Sequence, residues 1–224
     1  MAILDAKKSY TFSQLGKLTV PTDELLAEFG YQFSRRHIEL PQATGDLKET
    51  LAQIEVTRQR IDRILPLADL ANETSRRETL IAPVITDVAI NSQAQLRIEY
   101  AIAVSNWLQG VFDYLLIKAS SPQSFKSPFG PLLVVEAKQE DLTKGFNQMA
   151  VELIALDQWE KSPSVDAYPS FVGAVTTGDI WRFGCLDRVN KSIIQHLSLY
   201  RVPEDLEAVE RILIGILSNW TQLI

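Results

Sequence analysis

The sequence predicts an α/β chain: a mixed central β-sheet flanked by helices, preceded by an N-terminal extension. Two observations carry this reading. Three strand-like segments, QLRIEYAIAV, GVFDYLLIKA and PLLVVEAK, follow one another without an intervening helix. The helical segment DLTKGFNQMAVELIALDQWEKS then comes before a further strand-like segment, FVGAV. Three strands, a helix and another strand make a mixed sheet with helices on its faces.

The elements can be justified in order. The first 42 residues read as an extension with no visible chemistry, serving as a packing or partner-binding arm. Within them PTDELLAEFG has the marks of a short helix capped by Thr22 and stopped by Gly30, and YQFSRRHIELP looks extended. From Asp46 to Leu65 the residues Leu47, Leu51, Ile54, Ile61 and Leu65 keep a helical spacing that Pro66 ends. The stripe is narrow, which fits a surface helix laid on the core, with a partner contact as the alternative.

A second helix begins in NETSRRETLIAPVITDVA. Ser75 followed by Glu78 makes a capping box that leaves Glu73 outside the helix, whereas Asn72 as cap places Glu73 in the first turn. Pro83 is expected to kink or shorten the far end. The first two strands are joined by a tight connection at NWLQG, and the Ser/Pro/Gly-rich SSPQSFKSPFG leads into the third. FVGAV and IWRFGCL flank TTGD as a hairpin. The last helix has a stripe of Leu206, Val209, Leu213, Ile216, Leu217 and Trp220, suited to the core or to a dimer interface. The division expected is residues 1–66 as extension and helix, and 67–224 as the core with the C-terminal helix.

Bulk properties exclude several classes. A net charge of −6 argues against a general nucleic-acid coat or a basic membrane-surface protein. A single cysteine, Cys185, rules out an internal disulfide and a thiolate zinc cluster. His37 and His196 lie far apart and outside any ligand-spaced motif, which disfavours histidine-metal hydrolysis and His-based triads unless the fold brings them together. No apolar run approaches bilayer length and MAILDAKKSYTF lacks a signal-peptide pattern, so a cytoplasmic protein with no membrane partner is expected.

The chemistry concentrates at PLLVVEAKQED. Residues two apart in a strand share a face, so Glu136 and Lys138 point the same way at the end of an apolar strand. Upstream, Asp113 interrupts the apolar strand GVFDYLLI, where a carboxylate costs several kcal/mol unless paired or bound to a cation. Adjacent strands bearing Asp113 and Glu136 could set the two carboxylates within ~5 Å on one face. Lys138 supplies one counter-charge. Mg²⁺, which favours a few carboxylates with waters and phosphate oxygens, could supply another. Such an ion, for which Mn²⁺ can substitute, polarises a phosphodiester and lowers the pKa of a bound water, while Lys138 holds the water or the phosphate.

FDYLL, LLVVEAK and the helix GFNQMAVEL together resemble the PD-(D/E)xK nuclease superfamily, the restriction-endonuclease-like fold. NETSRRETLIAP is similar to the helix that precedes this core in the nuclease domains of type I restriction enzymes, through Glu73, Arg77, Leu80, Ile81 and Pro83. The resemblance covers about residues 70 to 185. It implies Asp113, Glu136 and the helical acid Glu73 as metal ligands, with the Ala137 carbonyl as a further one, and Lys138 as the catalytic lysine. It also implies DNA as substrate. Gln148 sits where some branches have a Gln followed four residues later by Tyr and would be a substrate-binding residue. Here the later residue is Glu152, and Phe112 stands where the pattern has Pro. Each residue also has a plainer reading: an edge ion pair for Glu136 and Lys138, helix-end electrostatics for Glu73, helix-surface packing for Gln148. Arg76, Arg77, Lys118, Lys126 and Lys144 read as phosphate contacts or simply solvated cations, and Trp181 as hairpin packing. The rival reading of the whole chain is a catalytically inactive nuclease-fold scaffold. A homodimer is a further expectation from the last helix.

Overall fold

A computed structural model describes residues 3–45, 47–118, 132–138 and 141–219. The chain is α/β, with one seven-stranded mixed sheet in the order β1-β7-β6-β5-β4-β3-β2. β2 (Ala94–Ala103), β3 (Gln109–Lys118) and β4 (Leu132–Ala137) form an antiparallel meander. β5 (Ser170–Thr176) runs parallel to β4, which requires a crossover, and α6 (Leu142–Gln158) provides it. β5, β6 (Ile180–Asp187) and β7 (Ser192–Arg201) continue antiparallel, and β1 (Gln32–Arg36) closes the far edge parallel to β7.

Helices cover both faces. α3 (Lys48–Ile64), α5 (Ala82–Ser92) and α7 (Leu206–Asn219) pack on one face around Ile61, Val84, Val135, Phe183 and Leu213. α1 (Phe12–Gly16), α2 (Thr22–Ala27) and α6 pack on the other around Phe12, Leu25, Met149, Leu153 and Val175. Every residue of β5 is buried, as a central strand covered on both sides must be.

The structure revises several expectations. The N-terminal segment does more than extend from a core: β1 is a sheet edge, and Phe12, Leu15, Leu25 and Leu26 are fully buried in the core on the α6 face. β7 has no counterpart among the expected strands. Its side chains break the period-2 signal, because Ile193, Ile194, Gln195 and His196 are all buried before Leu197 and Leu199 emerge. Asn72, not Ser75, caps the second helix: its side-chain oxygen accepts from Ser75 N–H at 2.8 Å, placing Glu73 in the first turn of α4 (Glu73–Arg76). Pro83 does not end that helix. The chain widens into a π-helical turn, Arg77–Ile81, and continues as α5, with Pro83 in the first turn, where a missing N–H costs little.

Other expectations are met in whole or in part. Of the stripe expected on α3, Ile54 and Ile61 are buried and Leu47 and Leu65 pack partly against the core, but Leu51 is 39% exposed and Thr57 takes a buried place instead; Val56, 58% exposed, marks the outer side. Leu206, Val209, Leu213, Ile216 and Leu217 of α7 are all buried in the chain's own core, so the core alternative describes that stripe; Trp220 lies outside the described residues. Among the described residues no helix is long and apolar enough to cross a membrane.

α7 also buries Glu210 completely, with neither carboxylate oxygen hydrogen-bonded. Burial, and then the charge of Asp87 on α5, push its pKa up to about 8. A carboxyl whose folded pKa exceeds its unfolded value costs stability progressively from the unfolded pKa up to the folded one. Glu210→Gln should therefore stabilise the chain little at pH 5 and by about 2 kcal/mol or more at pH 8. Denaturant melts of both proteins at the two pH values check this.

Candidate active site

The site lies where the meander meets α6. The β3–β4 register pairs Tyr114 with Val135, and one step further along it Asp113 stands opposite Glu136. Asp113 Oδ2 accepts a hydrogen bond from the Ala137 backbone N–H at 2.8 Å, which ties the carboxylate to the end of β4. Glu136 faces α6 and its side chain is 1% exposed. Its Oε1 is held by Lys138 Nζ, while Oε2 has no partner. The sequence therefore places Asp113, Glu136 and Lys138 together as expected.

Lys138 reaches Glu136 because α6 has no side chain in its way. A Cβ on Gly145 would lie 2.7 Å from Lys138 Cγ and 2.5 Å from Val175 Cγ2. Gly145, an unfavourable residue for a helix interior, is here a passage for the lysine stem. The turn before it is fixed by Asp141, whose carboxylate caps α6 by accepting from Thr143 and Lys144 N–H at 3.0 Å each.

A third carboxylate completes the cluster. Glu152 on α6 is fully buried; Gln148 Nε2 donates to its Oε1 at 3.0 Å and its Oε2 is unpartnered. Sequence reasoning treated Glu152 only as a departure from the expected Tyr. The signal was present in MAVELIAL, a single acid in an apolar helix run, which has to face something polar. The Gln148 side chain thus does two things: it supports Glu152 and lines the adjacent cleft.

The electrostatics follow from this geometry. Burial, then the neighbouring Asp113, push the Glu136 carboxyl up to about 8, against the opposing pull of Lys138. Burial and then Glu136 hold Glu152 well above the carboxylate range. For Lys138, burial lowers the pKa, but Glu136, Asp113 and Glu73 outweigh it and the net shift is upward. The lysine is a firm cation.

Glu73 joins from the side. A cleft of about 340 Å³ is lined by Glu73, Lys138, Lys144, Gln148 and, from α1, Gly16 and Lys17. A Cβ on Gly16 would sit 2.7 Å from Gln148 Cβ, so the missing side chain lets α1 close one wall of this cleft. Arg76 anchors the Glu73 turn to the β5–β6 hairpin, donating to the Thr177 carbonyl at 2.9 Å and to Asp179 at 3.0 Å. Arg77 is taken up by acids: its Nη1 lies 3.7 Å from Asp113 and donates to Glu99 at 3.3 Å. Neither arginine is a free phosphate contact. Lys118 is bonded to the Ser92 carbonyl, and Lys126 lies outside the described residues. Trp181 is fully buried and donates to the Gly178 carbonyl at 3.3 Å, as hairpin packing requires.

His37 and His196 do meet, with ring centroids 5.7 Å apart, but beside the core of the other face. His196 Nδ1 accepts from Ile38 N–H at 3.1 Å and so fastens the chain after β1. The pair has a structural role.

Among the described residues no group of three or more His, Cys, Asp or Glu side chains is placed to hold a metal ion. The donor set nevertheless suits a hard cation. Glu136 and Glu152 each carry a buried carboxylate oxygen that meets no donor, and the two carboxyls lie within reach of each other, where a shared proton or a cation could bridge them; Asp113 adds a third carboxylate, and Mg²⁺ is commonly held by only one or two carboxylates plus water. Comparison with protein-family models, curated proteins and solved structures finds no match to this chain.

The close approach at Gly145 gives a direct test of the packing. On helix propensity alone, Gly145→Ala should stabilise α6 by up to ~1 kcal/mol. With Lys138 and Val175 in the way it should instead destabilise the protein by roughly 1–3 kcal/mol. Urea denaturation gives the sign.

Proposed function

We propose that this chain is a metal-dependent nuclease of the restriction-endonuclease-like fold, hydrolysing phosphodiester bonds, with DNA as the substrate. The observation that carries this reading is the meeting of Asp113, Glu136 and Lys138 on adjacent strands, beside a cleft that also holds Glu73. The order helix, antiparallel meander, helix and parallel strand supports it, since the resemblance places its acids on the second and third strands.

Asp113 and Glu136 would hold the ion, with Glu152 available behind Glu136. Glu73, on the cleft wall, is the acid that would complete the coordination from the helix side. A bound divalent cation supplies polarisation of a phosphoryl oxygen and a water of lowered pKa. Lys138, kept protonated by the surrounding acids, can donate to a phosphate oxygen or to the attacking water at the cleft floor. Gln148 presents an amide to the same cleft, which suits a hydrogen bond to the sugar–phosphate backbone. The cell compartment consistent with this role is the cytoplasm, and a homodimer would allow cleavage of both strands.

The scaffold reading has one observation in its favour: Lys138 already satisfies one oxygen of Glu136, so the ion pair can stand without a metal. The two readings part on metal affinity. Titration with Mn²⁺ by calorimetry should show binding that disappears in Glu136→Ala, together with cleavage of linear or circular DNA. Binding should tighten from pH 6.5 to 8.5 and release protons, because the Glu136 carboxyl titrating at about 8 must lose its proton to ligate. A folded wild type with no Mn²⁺ affinity would leave the scaffold.

A further inference from the structure

One wall of the carboxylate cleft comes from a part of the chain that the family resemblance does not reach. α1 is capped by Thr11, whose hydroxyl accepts from Gln14 N–H while the Gln14 side chain accepts from Thr11 N–H at 2.9 Å. Its apolar side seats on β3: Phe12 is fully buried, its ring centroid 5.6 Å from that of Phe112, the residue before Asp113. Its other end meets α6, where a Cβ on Gly16 would lie 3.0 Å from the Lys144 carbonyl oxygen as well as against Gln148. Ahead of it, Tyr10 N–H fastens the chain to the Asn106 carbonyl at 2.8 Å. The short helix is wedged between the strand that carries Asp113 and the helix that carries Gln148 and Glu152.

That position brings Ser13 and Lys17 into the lining of the cleft that holds Glu73, Lys138 and Gln148. Lys17 is the C-cap of α1, and its backbone N–H donates to the Ser13 carbonyl at 3.3 Å, so the root of its side chain is fixed. The other charges of the cleft are already committed. Lys138 is bonded to Glu136, and Lys144 lies 3.3 Å from Asp141. Glu73 is the acid that would meet the ion. Lys17 is exposed and forms no ion pair among the described residues, which leaves its ammonium for a ligand in the cleft. A compact cation on a flexible stem suits a phosphate oxygen.

We infer that α1 is the substrate-holding wall of this cleft, with Lys17 binding a backbone phosphate of the DNA strand beside the phosphate that Lys138 contacts. The inference rests on the nuclease reading and adds a binding residue to that site. It makes residues 12–17 part of the active site. A chain of net charge −6 has to hold a polyanion through local cations of this kind. Such a contact sets the register of the strand and carries no sequence information.

The test is fluorescence anisotropy of a fluorescein-labelled DNA duplex at low salt with EDTA present, so that neither metal nor cleavage enters. Lys17→Gln should weaken binding about fivefold and lower the salt slope of log Kd by roughly one. Lys17→Arg should keep the affinity. Lys7→Gln removes the same charge from the same segment outside the cleft lining and should change nothing. In turnover with Mn²⁺, Lys17→Gln should raise KM by a similar factor and leave kcat within about twofold. No binding by the wild type, or equal effects of Lys17→Gln and Lys7→Gln with wild-type melting curves, overturns the inference. Lys17-dependent binding without cleavage under Mn²⁺ would sink the nuclease reading and leave α1 as a DNA-binding wall. Cleavage with an unchanged KM in Lys17→Gln would do the reverse.

Discussion

The structure depends on one costly arrangement: three carboxylates, Asp113, Glu136 and Glu152, gathered under a helix, with Lys138 bonded to Glu136 and Arg77 3.7 Å from Asp113. Two of the three are essentially dry, and each leaves one oxygen unbonded. Moving a carboxylate out of water costs several kcal/mol after relaxation, and like charges nearby add to it. The fold meets that cost with fixed geometry. The β3–β4 register sets Asp113 opposite Glu136, the Ala137 N–H ties Asp113 down, Gly145 lets Lys138 through, and Gln148 supports Glu152.

The chain buries acids in two ways: Glu210 keeps both oxygens unbonded, whereas Asp157 is fully partnered. Asp157 and Arg188 are also dry, at 5% and 3% exposure, yet Arg188 donates to Asp157 and to the carbonyls of Pro163, Ser164 and Tyr168. There every charge has partners, and the network staples the segment after α6 to β6. At Glu136 and Glu152 the partners are incomplete. Their folded pKa values lie above the unfolded ones, so protonation offsets the repulsion at low pH and the protein gives up stability as pH rises from about 4.5 towards 8. A cation bound among the carboxylates would remove that penalty.

Much of this was legible in the sequence, and what was hidden was hidden for physical reasons. Apolar runs with one acid each pointed to β3 and β4, and strand parity put Glu136 and Lys138 on one face. Asp113 stood out because an isolated carboxylate in a buried strand demands a partner. Glu152, the single acid in the apolar run MAVELIAL, demands one equally, though against the family pattern it shows only as a mismatch to Tyr. β7 escaped because both of its faces are buried at one end and only one at the other, so neither period fits throughout. The extended character of YQFSRRHIELP was legible, but its pairing was not: a parallel edge strand that meets residues some 160 positions away leaves no trace of that pairing in local pattern. The π turn Arg77–Ile81, which buries Leu80 and Ile81 just ahead of Pro83, is a rare local geometry that no propensity scale contains.

Three carboxylates, Asp113, Glu136 and Glu152, face two cations, Lys138 and Arg77, so Glu136 sits in a cluster with one negative charge in excess when all three are ionised. Carbon-13 NMR of the glutamate side-chain carboxyls, with Glu136 assigned through Glu136→Gln, measures this directly. The metal-free protein should show Glu136 titrating near pH 8, and saturating Mg²⁺ should carry that titration down into or below the ordinary glutamate range, about 4.3. A Glu136 that titrates near pH 4 without metal, and is indifferent to Mg²⁺, would contradict the account.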